Sequence, residues 1–207
     1  MSNAVAGPPR TAPAPKRPAR LVPGLVLIPD GTPLFVSATD TPFGRVYLAS
    51  RDDEFCASTG PDALAIEPCA WAAIRWPGAA LKLAGGRHRA AERQIRAYFA
   101  GGLREFDLPL ALPETGLAAR AWRAACDIPY GRTLTYGELA LDAGAPGAAR
   151  AMGRAMALCP LPLLIPCHRV IGAGGKPCGN RADWERRARL LAFEQTQLGE
   201  GVIAGRR

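Results

Sequence analysis

A stretch near the middle of the chain constrains the fold more than any other segment. Thr135 and Glu138 have the Ser/Thr-x-x-Glu spacing that closes a helix N-terminus reciprocally, which predicts a helix from Tyr136. The Gly-Ala-Pro-Gly run at 144–147 must end this helix, and strong helix formers resume over 148–156. The segment therefore predicts two short helices joined by a tight turn, a helix-turn-helix.

The second predicted helix is rich in small residues. Ala148, Ala149 and Gly153 permit close approach to a groove, and Arg150 and Arg154 lie four residues apart on one face. Any corner between two helices has the same pattern. The alternative is therefore a small-residue helix that packs on its neighbour and leaves two arginines in solvent.

A thiol lies beside one of only two histidines in the segment Pro166-Cys167-His168. A neighbouring imidazole, directly or through one water, can take the thiol proton and leave a nucleophilic thiolate. The alternative is a small buried cysteine that happens to precede a histidine. Pro166 is expected to end a strand formed by the apolar run 161–165, which places the thiol at a strand end next to irregular backbone.

These features together resemble the O6-alkylguanine-DNA alkyltransferases, a family that repairs alkylated guanine by moving the alkyl group onto its own cysteine. The matching segments are 121–123, 128–133, 135–140, 148–151, 160–162, 165–172 and 190–194. Segments 41–44, 98–101 and 106–110 resemble the less distinctive N-terminal domain of the family. The resemblance implies an α/β (α+β) fold, with a small N-terminal β-sheet domain carrying a helix. A mainly helical C-terminal domain then contains the helix-turn-helix and the active-site cysteine.

The resemblance also implies roles for individual residues in catalysis. Cys167 would accept the alkyl group, His168 would be the base acting through a water, and Glu194 would orient the histidine. The thioether product is stable, so each molecule would act once and need no cofactor and no metal. The implied substrate is O6-alkylguanine, with O4-alkylthymine as a second base of the same kind.

Double-stranded DNA with an alkylated guanine is the implied partner, and the chain is expected to act as a monomer. Tyr136, which also counts among the catalytic residues, would press on the phosphate of the target nucleotide and assist its rotation out of the stack. Arg150 would fill the vacated space, since guanidinium is planar and always charged. The expected DNA contacts are Arg150, Ala148, Ala149, Gly153, Tyr136 and Arg169.

The expected substrate pocket departs from the family pattern. Cys159 stands where the family has an asparagine, and a thiol is a poor substitute for an amide. Gly179, Asn180 and Arg181 replace an aromatic loop, so that together with Val170 they should form a more open and more polar pocket. We expect slow repair of O6-methylguanine and better tolerance of bulkier alkyl groups.

Three functions remain open from the sequence. The first is a suicide alkyltransferase, and the second is a lesion-binding protein that flips alkylated bases and recruits other repair factors. The third is a Cys-His enzyme of another class, with a nonstandard alkyl donor. The intact Cys167-His168 pair argues against the second, and the polar pocket at Asn180 is the sole support for the third.

Charge and composition agree with a DNA-acting protein. The chain has 26 Lys and Arg against 18 Asp and Glu, a net charge of +8, which favours polyanions but is common in proteins that bind no DNA. The predicted organisation is a disordered basic Pro/Ala-rich tail (1–23), an N-terminal α/β domain (24–112), a DNA-binding and catalytic domain (113–198) and a flexible tail (199–207). The first tail is interpreted as a solubilising extension, with phosphate tracking or a transit peptide as alternatives.

The remaining expectations concern cysteines, histidine and strands. Six cysteines show neither paired CxxC spacing nor a histidine cluster, so we expect a reduced cytoplasmic chain without structural zinc or a transmembrane span. Cys178 either oxidises against Cys167 or never meets it. His88 is expected at the surface, before a helix with a four-residue apolar face (Ala91, Ile95, Tyr98 and Phe99). Strands are expected over 25–28, 34–38 and 46–49, and a linker over 101–113.

Overall fold

The N-terminal half contains a four-stranded sheet. The structure is a computed structural model that describes residues 28–61, 66–175 and 181–199. The strands are β1 (Pro33–Thr41), β2 (Gly44–Arg51), β3 (Glu54–Ser58) and β4 (Ala80–Leu83), in the spatial order β3-β2-β1-β4. Strand β2 pairs antiparallel to both β1 and β3, whereas β4, which follows the helix α1 (Pro68–Arg75), pairs parallel to β1. This mixed sheet agrees with the predicted α+β class.

Apolar side chains point alternately to the two faces of the sheet along β2, which explains why both faces are covered. Val46 and Leu48 face one cluster of buried residues, and Tyr47 and Ala49 face another, as the period of two along a strand requires. The second cluster also contains Trp71 and other residues of the α1 region. The strands predicted over 34–38 and 46–49 are confirmed. Of the strand predicted over 25–28, residues 25–27 lie outside the described residues and Ile28 lies in no strand.

His88 corrects the prediction of a surface histidine. Its side chain is only 1% exposed, with Nδ1 2.8 Å from Ser37 Oγ and Nε2 2.9 Å from Ser50 Oγ. The prediction was wrong because β1 and β2 supply two hydroxyls that satisfy both ring nitrogens, which lets a polar ring enter the core. Burial, with a smaller contribution from the charge of Arg87, lowers the pKa of His88 to about 4.

Helix α2 (Arg89–Phe99) follows His88 directly and packs on the other face of the sheet. Its apolar face is confirmed, since Ala91, Ile95, Tyr98 and Phe99 are all buried. They belong to the same cluster as Val46 of the sheet and Trp122 of the C-terminal half. The helix therefore joins the two halves of the chain in one core.

The C-terminal half is mainly helical. Its elements are α3 (Leu117–Cys126), β5 (Leu134–Thr135), α4 (Tyr136–Asp142), α5 (Ala149–Ala157), β6 (Val170–Ile171) and α6 (Arg181–Gln197). Strands β5 and β6 form a small parallel pair. The helix-turn-helix prediction agrees with α4 and α5, and α5 begins one residue later than predicted.

The predicted reciprocal cap at the start of α4 is confirmed. The Thr135 hydroxyl accepts a hydrogen bond from Glu138 N at 3.2 Å, and Thr135 N donates to Glu138 Oε2 at 2.6 Å. Such a cap stabilises the helix by about 1 kcal/mol. Gly144 and Gly147, with φ of 63° and 81°, then make the turn into α5.

The predicted linker 101–113 is partly tied to the sheet. Phe55 N donates to Pro109 O and Ala111 N donates to Phe55 O, each at 2.8 Å, so the linker backbone pairs with β3. The domain boundary predicted between residues 112 and 113 stays a prediction. Among the described helices, none has both the length and the apolar character that a membrane crossing needs.

Candidate active site

The cysteine lies on a tight sequence of turns. Leu163 has φ of 79°, and Ile165 N donates to Leu161 O at 2.8 Å, so the run 161–165 is a turn. At Pro166, φ is −77° and ψ is 58°, and Cys167 N donates to Ile165 O at 2.7 Å, the geometry of an inverse γ-turn. The prediction that 161–165 forms a strand was wrong, because its hydrogen bonds close locally.

A short 3-10 helix, Cys167–Arg169, follows the turn and carries the thiol and the histidine. Strand β3 holds the preceding loop in place, since the Ser58 hydroxyl donates to Pro162 O at 2.7 Å and Ser58 N donates to Pro160 O at 3.0 Å. Cys167 is only 3% exposed. A group that reacts with this thiol must therefore enter the protein interior to reach it.

His168 is held by a buried carboxylate. Its Nε2 lies 2.8 Å from Glu194 Oε1, and the two side chains are 2% and 0% exposed. Glu194 comes from α6, 26 residues further along the chain. The structure therefore brings together Cys167, His168 and Glu194, the three residues to which the family resemblance assigned the chemistry.

Glu194 is a carboxylate at neutral pH despite its burial. Burial raises its pKa, but the charges and hydrogen bonds of His168 and Arg169 outweigh that effect and lower the pKa to about 2. Gly131 N donates to Oε2 at 2.9 Å, and the Tyr98 hydroxyl donates to Oε1 at 2.7 Å. A buried anion with this many donors keeps its position, so it can orient His168.

Arg169 corrects the prediction of a DNA contact. The side chain is buried, with Nε 3.0 Å from Glu194 Oε2, Nη2 2.9 Å from Glu194 Oε1 and Nη1 2.6 Å from Ile128 O. The prediction was wrong because a bidentate ion pair with an internal carboxylate draws the guanidinium inward. Arg169 therefore helps to hold the set Cys167, His168 and Glu194, which we call the relay.

A cavity of about 60 Å³ opens beside the thiol. This space equals that of about two water molecules, enough for a small substituent. Residues that line it include Cys159, Cys167, His168, Leu163, Met156 and Arg187. Burial, with a hydrogen bond to Cys167, raises the pKa of the Cys159 thiol, so Cys159 faces Cys167 as a neutral thiol.

The other predicted pocket residues have different fates. Val170 is fully buried in the main core and its backbone pairs with Leu134, and it is not among the described residues that line the cavity. Gly179 and Asn180 lie outside the described residues, as does Cys178. Arg181 is the first residue of α6.

The other predicted DNA-binding residues lie together on α4 and at the start and along the length of α5. Arg150 is exposed, and Ala148 and Ala149 are half-buried at the start of α5. Tyr136 is mostly buried, and a Cβ at Gly153 would lie 3.9 Å from the Tyr136 ring, so the tyrosine packs beside the small-residue face of α5. Their roles toward DNA stay predictions.

Sequence reasoning missed two residues that touch this site. Tyr98 was counted only as part of an apolar helix face, yet its hydroxyl reaches Glu194. A buried tyrosine usually needs a hydrogen-bond partner, which is the signal that identifies it. Arg187 lines the cavity and donates to Met156 O at 2.7 Å, linking α6 to the end of α5. The described residues hold no cluster of three metal-ligating side chains.

Comparison with known proteins decides the family. A model of the 6-O-methylguanine DNA methyltransferase DNA-binding domain matches residues 117–196. A methylated-DNA–protein-cysteine methyltransferase of Mycolicibacterium paratuberculosis is 42% identical over 156 residues, which cover 75% of this chain and 89% of that relative. The chain belongs to the methylated-DNA–protein-cysteine methyltransferase family.

Solved structures of the family agree in fold. The Mycobacterium tuberculosis O6-methylguanine methyltransferase superposes with a TM-score of 0.67 at 37% identity, covering 79% of this chain and 94% of that chain. A structure of M. tuberculosis OGT in complex with DNA superposes with a TM-score of 0.64 at 36% identity, with the same coverage. The match extends well beyond the DNA-binding domain, so the N-terminal sheet also belongs to the family fold.

Proposed function

We propose that this protein repairs O6-alkylguanine in double-stranded DNA by transferring the alkyl group to its own Cys167. The observation that carries the proposal is the Cys167-His168 pair, with His168 held by the buried carboxylate of Glu194 and both paired residues facing a small cavity. The names of the relatives, which are methylated-DNA–protein-cysteine methyltransferases, support the same reaction.

The chemistry is a displacement at carbon. His168, through a water, takes the proton of Cys167, and Glu194 stabilises the imidazolium that forms. The thiolate attacks the alkyl carbon and forms a carbon–sulfur bond. The carbon–O6 bond breaks, and its electron pair remains on guanine, which takes up a proton. The thioether does not turn over, so each molecule acts once without a cofactor.

A target base can reach the buried thiol only if it leaves the DNA duplex. Unstacking costs a few kcal/mol, which the protein must replace with contacts of its own. Arg150 is exposed on α5, where it would occupy the space left by the base, and Tyr136 beside Gly153 would contact the target phosphate. One chain holds the whole relay, which supports action as a monomer.

Intact mass measurement tests the proposal. Incubation with duplex DNA that contains O6-methylguanine should add one methyl group to the wild type, located on Cys167, and none to Cys167→Ala. Duplex binding by Cys167→Ala should stay near the wild-type value, because the thiol is buried and α5 makes the proposed DNA contacts. Cys126→Ala serves as the matched cysteine control and should still accept the group.

Two results would refute this assignment. One is transfer to Cys159 in the wild type, and the other is continued transfer by Cys167→Ala. A wild type that binds and flips the lesion but gains no mass would instead identify a lesion-binding protein.

Arg150→Ala tests base extrusion separately from phosphate attraction. We expect the signal of a fluorescent base analogue at the target to fall by roughly tenfold, because Arg150 replaces part of the lost stacking. Salt-dependent duplex binding should fall less. Arg154→Ala is the matched control, since Arg154 is also exposed on α5, and it should reduce both signals equally. Equal losses for Arg150→Ala would make Arg150 an ordinary phosphate contact.

A further inference from the structure

The relay carboxylate receives a hydrogen bond from the N-terminal half of the chain. Tyr98, on α2, donates its hydroxyl to Glu194 Oε1 at 2.7 Å, and both side chains are fully buried. Tyr98 lies outside residues 117–196, the part that the DNA-binding domain model of the family matches. The set of donors around Glu194 is therefore incomplete without the N-terminal half.

Two basic groups compete for the same carboxylate. His168 Nε2 lies 2.8 Å from Oε1, while Arg169 places Nη2 2.9 Å from Oε1 and Nε 3.0 Å from Oε2. Arg169 carries a permanent charge and two parallel donors, so it attracts the carboxylate strongly. A bond from Arg169 Nη1 to Ile128 O fixes the guanidinium in turn. Gly131 N holds the other oxygen, Oε2, so the Tyr98 hydroxyl is the donor on Oε1, among the described residues, that belongs to neither basic side chain.

We infer that Tyr98 is a positioning residue for the proposed alkyl transfer, whose hydroxyl holds the Glu194 carboxylate on His168 against the attraction of Arg169. Through this bond the N-terminal half sets the reactivity of Cys167. The inference rests on the proposed function, in which His168 activates the thiol.

The groups around Glu194 keep this bond intact across the pH range in which a thiol titrates. Glu194 is ionised because its pKa is about 2. Burial, followed by the charge of Glu194, raises the pKa of Tyr98, so Tyr98 keeps its proton. Tyr130 and Arg169 also face this carboxylate, and the Arg104 guanidinium lies 6.0 Å from the centre of the Tyr130 ring.

Tyr98→Phe is the direct test, because it removes the hydroxyl and keeps the ring. The measurement is the rate of Cys167 alkylation by iodoacetamide, resolved by peptide mass and followed against pH in the full chain without DNA. We expect a roughly two- to tenfold slower reaction at neutral pH, equivalent to the net contribution of one hydrogen bond. The midpoint of the pH profile should move upward, as in Glu194→Gln, because a displaced carboxylate supports His168 less.

Tyr130→Phe is the matched control. The Tyr130 ring lies 5.7 Å from the Tyr98 ring in the same aromatic cluster, and among the described residues its buried hydroxyl has no hydrogen-bond partner. Removing this hydroxyl should leave the rate and the pH midpoint unchanged. Replacement of Tyr98 by 3-fluorotyrosine keeps the hydroxyl donor and should retain the wild-type pH profile. If Tyr98 acted only through the packing of its ring, Tyr98→Phe would retain that profile as well.

A double-variant cycle with Glu194→Gln shows whether Tyr98 acts through the carboxylate. Tyr98→Phe should have no additional effect in the Glu194→Gln background. Additive effects, or a wild-type pH profile for Tyr98→Phe, would overturn the inference. Failure of the proposed function has a different signature, which is a wild type that reacts normally with iodoacetamide but takes no alkyl group from DNA.

Discussion

The two histidines of this chain are buried to the same degree and have opposite surroundings. His88 is 1% exposed and His168 is 2% exposed. The His88 ring nitrogens meet two neutral hydroxyls, from Ser37 and Ser50, whereas His168 Nε2 meets the carboxylate of Glu194. Burial therefore does not separate the structural histidine His88 from the proposed base His168, whereas the charge of the hydrogen-bond partner does.

The two sites differ in how well they stabilise a protonated imidazole ring. Neutral hydroxyls cannot compensate a buried imidazolium, and the pKa of His88 falls to about 4. At His168 the carboxylate supplies the opposite charge, and a cavity gives the ring and Cys167 access to a ligand. His88 should therefore contribute to stability alone, and His168 to chemistry.

Alanine at each histidine should separate the two roles most strongly. We expect His168→Ala to slow alkyl transfer by roughly 10²- to 10⁴-fold, the usual contribution of a general base. His88→Ala should lower the free energy of unfolding and leave the rate of the folded fraction near that of the wild type. Single-turnover rates, normalised to folded protein, check both. A similar loss of rate in the two variants would break the distinction.

Acid unfolding should identify His88 as a buried neutral base. Between pH 6.5 and about 4 the unfolded chain takes up a proton at this histidine and the native chain does not. Stability is thus complete above pH 6.5 and falls by about 3 kcal/mol as the pH drops through this interval. Glu194, with a pKa of about 2 against 4.5, removes stability only at lower pH.

Urea unfolding at a series of pH values measures this loss. His88→Gln carries no titrating group, so the difference in unfolding free energy between wild type and variant should narrow as the pH falls from 6.5 to 4. A constant difference would mean that native His88 takes up the proton as readily as the unfolded chain.

The smallest expected effects concern the two serines. Ser50→Ala should destabilise the protein by roughly 1–3 kcal/mol, because it leaves a fully buried ring nitrogen without its partner. Ser37→Ala should cost less, since Ser37 is only half-buried and water can replace the hydroxyl. Thermal unfolding of the two variants gives the ranking, and the reverse order would contradict the asymmetry of the site.

Features that depend on near neighbours were predictable from the sequence. The cap between Thr135 and Glu138, the start of α4 and the buried face of α2 were all confirmed. In each case the residues that form the pattern lie within one to three helical turns of one another. The Cys167-His168 pair was visible for the same reason. Its partner Glu194 was assigned from the family resemblance, and no local pattern identifies it.

Only the tertiary structure decided features whose partners are distant in sequence. Tyr98 and Glu194 are 96 residues apart, and His88 meets Ser37 and Ser50, which are 51 and 38 residues away. Arg169 turned inward because the same carboxylate lies beside it in the core. Sequence alone determined which side chains can carry charge and protons. The fold decided which of them meet, because hydrogen bonds and ion pairs act over a few ångströms of space whatever the separation along the chain.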